Sequence, residues 1–179
     1  MGCAGALYVL CGLPFAGKTH LAAELAARLG FAVVSIDEIK FAHGFPWTDD
    51  SPITSADWAR ILDEADGRTA AFVAEGRTVV YDCANLDRET RAGIREFAAS
   101  IGCPCRLVFV DAPVETVRQR WRHNRRSRER FDLPEAVFES ALAAFERPAP
   151  DEAAVPWDGT MDVSAWATRH LGREAAPPS

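Results

Sequence analysis

The stretch Gly12-Leu13-Pro14-Phe15-Ala16-Gly17-Lys18-Thr19 decides how the rest of the chain is read. It fits the pattern G-x-x-x-x-G-K-[ST] and stands in the context that gives the pattern meaning. Ahead of it runs Ala6-Leu7-Tyr8-Val9-Leu10-Cys11, a continuous apolar segment that reads as a buried strand. Behind it, residues 20–29 have helical periodicity and stop at Gly30. At such a junction the glycines let main-chain amides converge on phosphate oxygens, and the helix N-terminus adds partial positive charge. Lys18 then bridges β- and γ-phosphates, and the Thr19 hydroxyl ligates Mg2+. The chain is expected to bind a nucleoside triphosphate through all eight residues from Gly12 to Thr19, with ATP and Mg2+ as its cofactors. Lysine occurs elsewhere only at Lys40, which makes its presence in this loop more telling.

Outward from the loop, short apolar runs alternate with helical stretches. Residues 32–36, 78–81 and 107–110 read as further strands, and 161–163 as a weak fifth. Between them, Trp58, Ile61, Leu62, Ala65, Phe72 and Val73 recur at helical spacing after a Thr54 cap, which puts Trp58 in the core. Ile94, Phe97, Ala98 and Ile101 form a second helical face, and Val137, Phe138, Ala141, Leu142 and Phe145 a third, opened by Pro134. Residues 148–156 read as an extended connection and 173–179 as a flexible tail. The alternation predicts a parallel α/β sheet with helices on both sides. We read residues 1–172 as one domain.

The chain has 179 residues, 48% of them hydrophobic and 26% charged, a balance that excludes a disordered or collagen-like polymer. Its formal net charge of −6 offers no global positive field for a nucleic-acid backbone. The five cysteines form no CxxC pair, which argues against a disulfide framework or a zinc site. No apolar run reaches membrane-spanning length, and the apolar N-terminus lacks the basic flank of a signal peptide. These features predict a cytoplasmic chain without a membrane partner, and leave its oligomeric state open.

Three aspartates follow the predicted strands. Asp82 closes the run Val79-Val80-Tyr81-Asp82, the apolar-strand-then-acid form of a Walker B segment, and would hold Mg2+ beside Thr19. Asp37, in Ser35-Ile36-Asp37-Glu38-Ile39-Lys40, lies where it could orient or deprotonate an acceptor hydroxyl attacking the γ-phosphate. Each can instead be a helix cap or turn former. For Asp111, followed by Ala112-Pro113, capping is the favoured reading.

Arg118, Arg120, Arg122, Arg125, Arg126, Arg128 and Arg130 crowd one short segment. Arg118 and Arg120 read as a solvated helix face. From Arg122 to Arg130 the apolar pattern lapses, and two uses compete: a lid over about 122–133 that presents guanidiniums to the triphosphate, or a plain basic surface. Trp121 and Phe131 alone interleave as aromatics, so a nucleic-acid arm is the weaker functional use. On the other side, the acidic stretch 43–66 follows Asp37 at the place of a substrate-binding insertion. There Trp47 either fills the core or flanks a substrate, Asp49 and Asp50 are solvated charges or a lining that favours a neutral or cationic acceptor, and His43 reads as structural.

The segments GLPFAGKT, VVSIDEIK, VVYDCANLDRETR and LVFVDAPVETVRQRW, with the arginine-rich stretch, resemble small P-loop kinases related to polynucleotide 5′-hydroxyl kinase. That group sits among AAA-family ATP-binding proteins, with zeta toxins and chloramphenicol phosphotransferase as looser relatives. The resemblance runs over residues 7–152. It implies a three-layer P-loop NTPase fold with a five-stranded parallel sheet in the order 2-3-1-4-5 and an arginine-rich lid. It further implies Asp82 as the Walker B carboxylate, Asp37 as the acceptor-activating group and Arg128 as the lid arginine, with Arg122, Arg125 and Arg126 nearby. Asn85 and Arg88 would line the acceptor side, and Lys40 stands where polynucleotide kinases commonly carry arginine. The expected activity is ATP-dependent transfer of the γ-phosphoryl group to a hydroxyl of a small molecule, such as an antibiotic, a sugar or a nucleoside-like metabolite. A polynucleotide 5′-hydroxyl kinase and a non-catalytic nucleotide-binding regulator are the alternatives.

Overall fold

The computed structural model describes residues 5–45, 53–128 and 132–171. Five strands form one parallel sheet: β1 (Leu7–Cys11), β2 (Ala32–Ser35), β3 (Val79–Asp82), β4 (Cys105–Val110) and β5 (Val155–Trp157). Their spatial order is β2-β3-β1-β4-β5. Register pairs Leu7 with Val79 on one side and with Cys105 on the other, so β1 is central and the loop after it opens at the middle of the sheet's carboxyl edge.

Helices α1 (Lys18–Leu29), α2 (Ile36–Ala42), α3 (Ser55–Ala74), α4 (Arg88–Ser100), α5 (Val114–Ser127), α6 (Glu135–Ala144) and α7 (Val163–His170) complete the three layers. Alternation along β1 separates two cores. Tyr8 and Leu10 face one that includes Leu21 and Leu25 of α1, Val117 and Trp121 of α5, Phe138 of α6 and Trp166 of α7. Leu7, Val9 and Cys11 face the other, with Ile39 of α2, Ile61 and Ala65 of α3 and Ala98 of α4. Every residue of β1 is buried, which is why it reads as an unbroken apolar run.

Thr54 caps α3 as expected: its hydroxyl accepts from the Asp57 amide at 3.2 Å, and the Asp57 carboxylate accepts from the Thr54 amide at 3.1 Å. The helix buries the stripe Ile61, Ala65, Thr69 and Val73. Trp58, expected in the core, is 38% exposed, and Leu62 is 44% exposed. Both lie beside that stripe, and the Lys40 ammonium sits 5.5 Å from the Trp58 ring centroid.

Three further expectations are corrected. The fifth strand is Val155–Trp157, not 161–163; Asp162 instead caps α7 by accepting from the amides of Ser164 and Ala165. The connection read as extended over 148–156 contains a 3-10 turn, Pro150–Glu152, before β5 begins. Asp111 does not cap α5, whose N-cap is Pro113; its carboxylate accepts from Arg147.

Candidate functional site

The loop from Gly12 to Gly17 joins β1 to α1 and is held from three sides. Gly12 has φ 145°, and a Cβ there would come within 2.7 Å of the Val110 carbonyl oxygen, so the position demands glycine on both conformational and steric grounds. Its amide donates to the Ala84 carbonyl at 3.3 Å. Phe15 sits at φ 62°, rare for an aromatic residue, at the crest of the loop. Its ring meets Phe138 edge-on at 6.2 Å, and Phe138 stacks on Trp121 at 4.6 Å, so α5 and α6 brace the crest. Gly17 starts α1 in the left-handed region without a side-chain cap, which leaves the first-turn amides to an incoming anion.

Lys18 Nζ donates to the carbonyls of Gly12 and Leu13, each at 2.9 Å, and so lies against the loop's own backbone. Withdrawal from water pulls its ammonium below the ordinary lysine value, and the Asp82 carboxylate opposes that shift. Asp82, the last residue of β3, is buried, and burial holds its carboxyl above the usual range. The Thr19 hydroxyl and the Lys18 ammonium both favour its charged form, while Asp37 and Glu38 act against it. Register places Asp82 opposite Ser35 at the end of β2, where the Ser35 hydroxyl accepts from the Glu38 amide at 3.4 Å and starts α2. Asp37 therefore stands in the first turn of α2, 3.7 Å from Lys40 Nζ and largely exposed. The fold thus brings Lys18, Thr19, Asp82 and Asp37 to one place.

Asn85 is buried at φ 48°, with its Nδ2 donating to the Leu10 carbonyl at 2.5 Å. Arg88 reaches away to pair with Asp151 on the surface. Trp47, Asp49 and Asp50 lie outside the described residues.

The apolar lapse after Arg122 does not end the helix. Helix α5 runs on to Ser127, so Arg122, Arg125 and Arg126 project from its last turns, and Arg128 closes it in the left-handed conformation. Arg122 lies 3.8 Å from Glu115, and Arg125 pairs with Asp132 at 3.3 Å. Arg118 pairs with Glu139 and ties α5 to α6.

Arg120 is exposed, as expected for a solvated face, yet it also reaches across to the loop: Nη1 donates to the carbonyls of Phe15 at 3.1 Å and Ala16 at 2.8 Å. Its spacing two residues from Arg118 carried no signal of this contact. Beside it opens a cleft of about 820 Å³, walled by the Phe15–Gly17 crest, by Thr116 and Arg120 of α5, and by Asp158 and Gly159 after β5. That volume suits a small-molecule ligand. Of these walls the sequence announced only the Phe15–Gly17 crest; Thr116, Arg120, Asp158 and Gly159 come from a helix and a connection that carry no motif.

Among the described residues, no group of three or more His, Cys, Asp or Glu side chains could hold a metal ion, and no helix is long and apolar enough to cross a membrane.

The family described as "AAA domain" matches residues 7–148. The thermosensitive gluconokinase of Escherichia coli (strain K12) is 24% identical over 156 residues, covering 83% of this chain and 76% of that protein. A sugar kinase from Janibacter sp. HTCC2649 superposes with a TM-score of 0.69 at 22% identity, over 97% of this chain and 99% of that one. The APS kinase CysC of Mycobacterium tuberculosis, solved with AMPPNP and APS, superposes with a TM-score of 0.64 at 20% identity, over 93% and 95%. At these identities the structural likenesses speak to the fold.

Proposed function

The chain belongs to the AAA-domain family of P-loop proteins, a fold that implies binding of ATP, and from that premise we propose that it is a kinase transferring the γ-phosphoryl group of ATP to a hydroxyl of a small molecule. One observation carries the reading: the P-loop cation Lys18, the Thr19 hydroxyl and two carboxylates, Asp82 and Asp37, act on one another at the carboxyl edge of the sheet.

In this reading the amides of the loop and of the first turn of α1 bind the phosphates, Lys18 shifts from its carbonyl partners to the β- and γ-phosphates, and the base and ribose enter the cleft beside Arg120. Asp37 accepts the proton of the acceptor hydroxyl. The acceptor oxygen forms its bond to phosphorus as the bridging β,γ bond breaks, and ADP departs. Arg128, with Arg122, Arg125 and Arg126, supplies further positive charge from the end of α5.

Thr19 and Asp82 are hard oxygen donors, and the Thr19 hydroxyl favours the charged form of the Asp82 carboxyl, which would suit a Mg2+ ion with further ligands from phosphate and water. Bound there, Mg2+ would neutralise charge on the phosphates.

The names of the relatives, a gluconokinase and a sugar kinase, favour a polyhydroxylated acceptor. Incubation with γ-labelled ATP, a panel of sugars, sugar acids, amino sugars and nucleosides, and a 5′-hydroxyl oligonucleotide tests the proposal. Label in a small molecule is expected. Label confined to the oligonucleotide would replace the reading with the polynucleotide kinase, and no transfer to any hydroxyl would reject it.

A further inference from the structure

Arg91 is the largest fully buried side chain in the described protein, 1% exposed, and it lies outside the proposed chemistry. Its guanidinium makes five contacts. Nε and Nη2 grip the two carboxylate oxygens of Glu152, each at 2.8 Å. Nη1 donates to the carbonyls of Asn85 at 3.2 Å, Leu86 at 3.2 Å and Glu146 at 3.0 Å. The Glu152 side chain is itself 1% exposed and also accepts from Arg95 at 2.9 Å and from the Ala149 amide at 3.0 Å.

These contacts join two stretches distant in sequence. One is the strap 146–152, which returns from α6 to β5; the other is the loop 83–87 after β3. The Glu146 amide donates to the Leu86 carbonyl at 2.8 Å, and Glu146 Oε2 accepts from the Arg88 amide at 3.0 Å, so the two lie side by side. The loop in turn grips the entry of the P-loop: Asn85 Nδ2 donates to the Leu10 carbonyl, and the Ala84 carbonyl accepts from the Gly12 amide.

A buried ion pair is a weak source of stability, because desolvation cancels much of the attraction, and well-packed apolar residues often serve as well. Apolar residues would not bind three carbonyls from two segments at once. We propose that Arg91 is a positioning residue, which couples the strap behind α6 to the mouth of the P-loop through Asn85. The consequence for nucleotide affinity rests on the function proposed above; the coupling itself rests on the hydrogen bonds alone.

Hydrogen exchange on the full-length protein, with calorimetric titration of a non-hydrolysable ATP analogue and magnesium, tests it. Arg91→Lys keeps the charge opposite Glu152 but loses the fork. It should speed exchange at Gly12 and in the loop 84–88 about tenfold while leaving β4 unchanged, and weaken analogue binding by about the same factor. Arg95→Lys touches only the Glu152 partner that bonds no carbonyl, and should stay within about twofold of wild type in both readouts. Asn85→Ala cuts the last link while keeping the ion pair, and should reproduce the faster Gly12 exchange even where Arg91→Lys does not fold. Wild-type exchange at Gly12 in a folded Arg91→Lys, or in Asn85→Ala, would overturn the coupling. Exchange that rises equally in β4 would also overturn it, reducing Arg91 to a structural residue. A wild-type protein that gives no binding heat contradicts the proposed function, and the exchange data still decide the coupling.

Discussion

The Arg120 guanidinium donates to two successive main-chain carbonyls of the P-loop, Phe15 at 3.1 Å and Ala16 at 2.8 Å. It thereby anchors a crest whose first residue holds a positive φ, a conformation that costs on the order of 1–3 kcal/mol when the surroundings do not enforce it. Arg120→Met removes both bonds and keeps much of the side-chain volume. We expect a folded protein whose affinity for magnesium and a non-hydrolysable ATP analogue falls about tenfold or more, since hydrogen bonds from a charged donor contribute roughly 1.5–3 kcal/mol. Calorimetry reads the change; an unaltered Kd would mean that the crest holds its shape without α5.

Phe138 fixes α6 to the molecule by stacking on Trp121 and meeting Phe15, and it is fully buried. Phe138→Ala should cost about 3–5 kcal/mol in urea unfolding. A loss under about 1 kcal/mol would show that α6 contributes little to the cooperative unit.

Acid should act through Glu152. The Arg91 guanidinium, with the Ala149 amide and Arg95, holds its carboxyl down from an ordinary 4.5 to about 2. The unfolded chain therefore binds more protons than the native one between those values. The stabilisation from Glu152 is complete above the ordinary value and drains away as pH falls through about 2. Asp82, raised by burial, acts in the opposite sense, so the comparison with a double variant isolates Glu152. In denaturant melts, wild type should lose stability relative to Arg91→Met combined with Glu152→Met as pH falls toward that value; parallel pH dependences would contradict the assignment.

Two thiols should be inert in the native protein. Burial pushes Cys11 up to about 12 and Cys105 to about 11, so almost no thiolate exists at either near neutral pH. Peptide mapping after iodoacetamide treatment should find both unmodified until denaturant is added. Rapid native alkylation of Cys11 would show that the end of β1 opens readily.

The sequence displayed the sheet wherever a strand is buried on both faces. β1, β3 and β4 show as apolar runs for that reason, and the P-loop could be read because its chemistry dictates residue type at fixed spacing. β5 escaped because it is three residues long and carries Pro156, which an edge strand tolerates and a central strand does not. Trp58 misled because helical phase reports which residues share a face, not how far the neighbouring sheet extends beneath them. Arg120 and Arg91 were hidden for a different reason. Their partners are main-chain carbonyls, which any residue supplies, so no pattern of side chains announces them. Asp37 and Asp82 could be placed beside the loop because the ends of parallel strands face one edge, and α2 begins directly where β2 stops.

The central claim is that the P-loop holds ATP while Asp37 readies a hydroxyl, and one variant separates the two functions. Asp37→Asn preserves shape and removes the proton acceptor, a change that costs about 10²–10⁴ in rate for a general base. Transfer of γ-labelled phosphate to the best small-molecule acceptor should fall by that factor, while calorimetry shows nucleotide binding within about threefold of wild type. Transfer at the wild-type rate by Asp37→Asn would contradict the account.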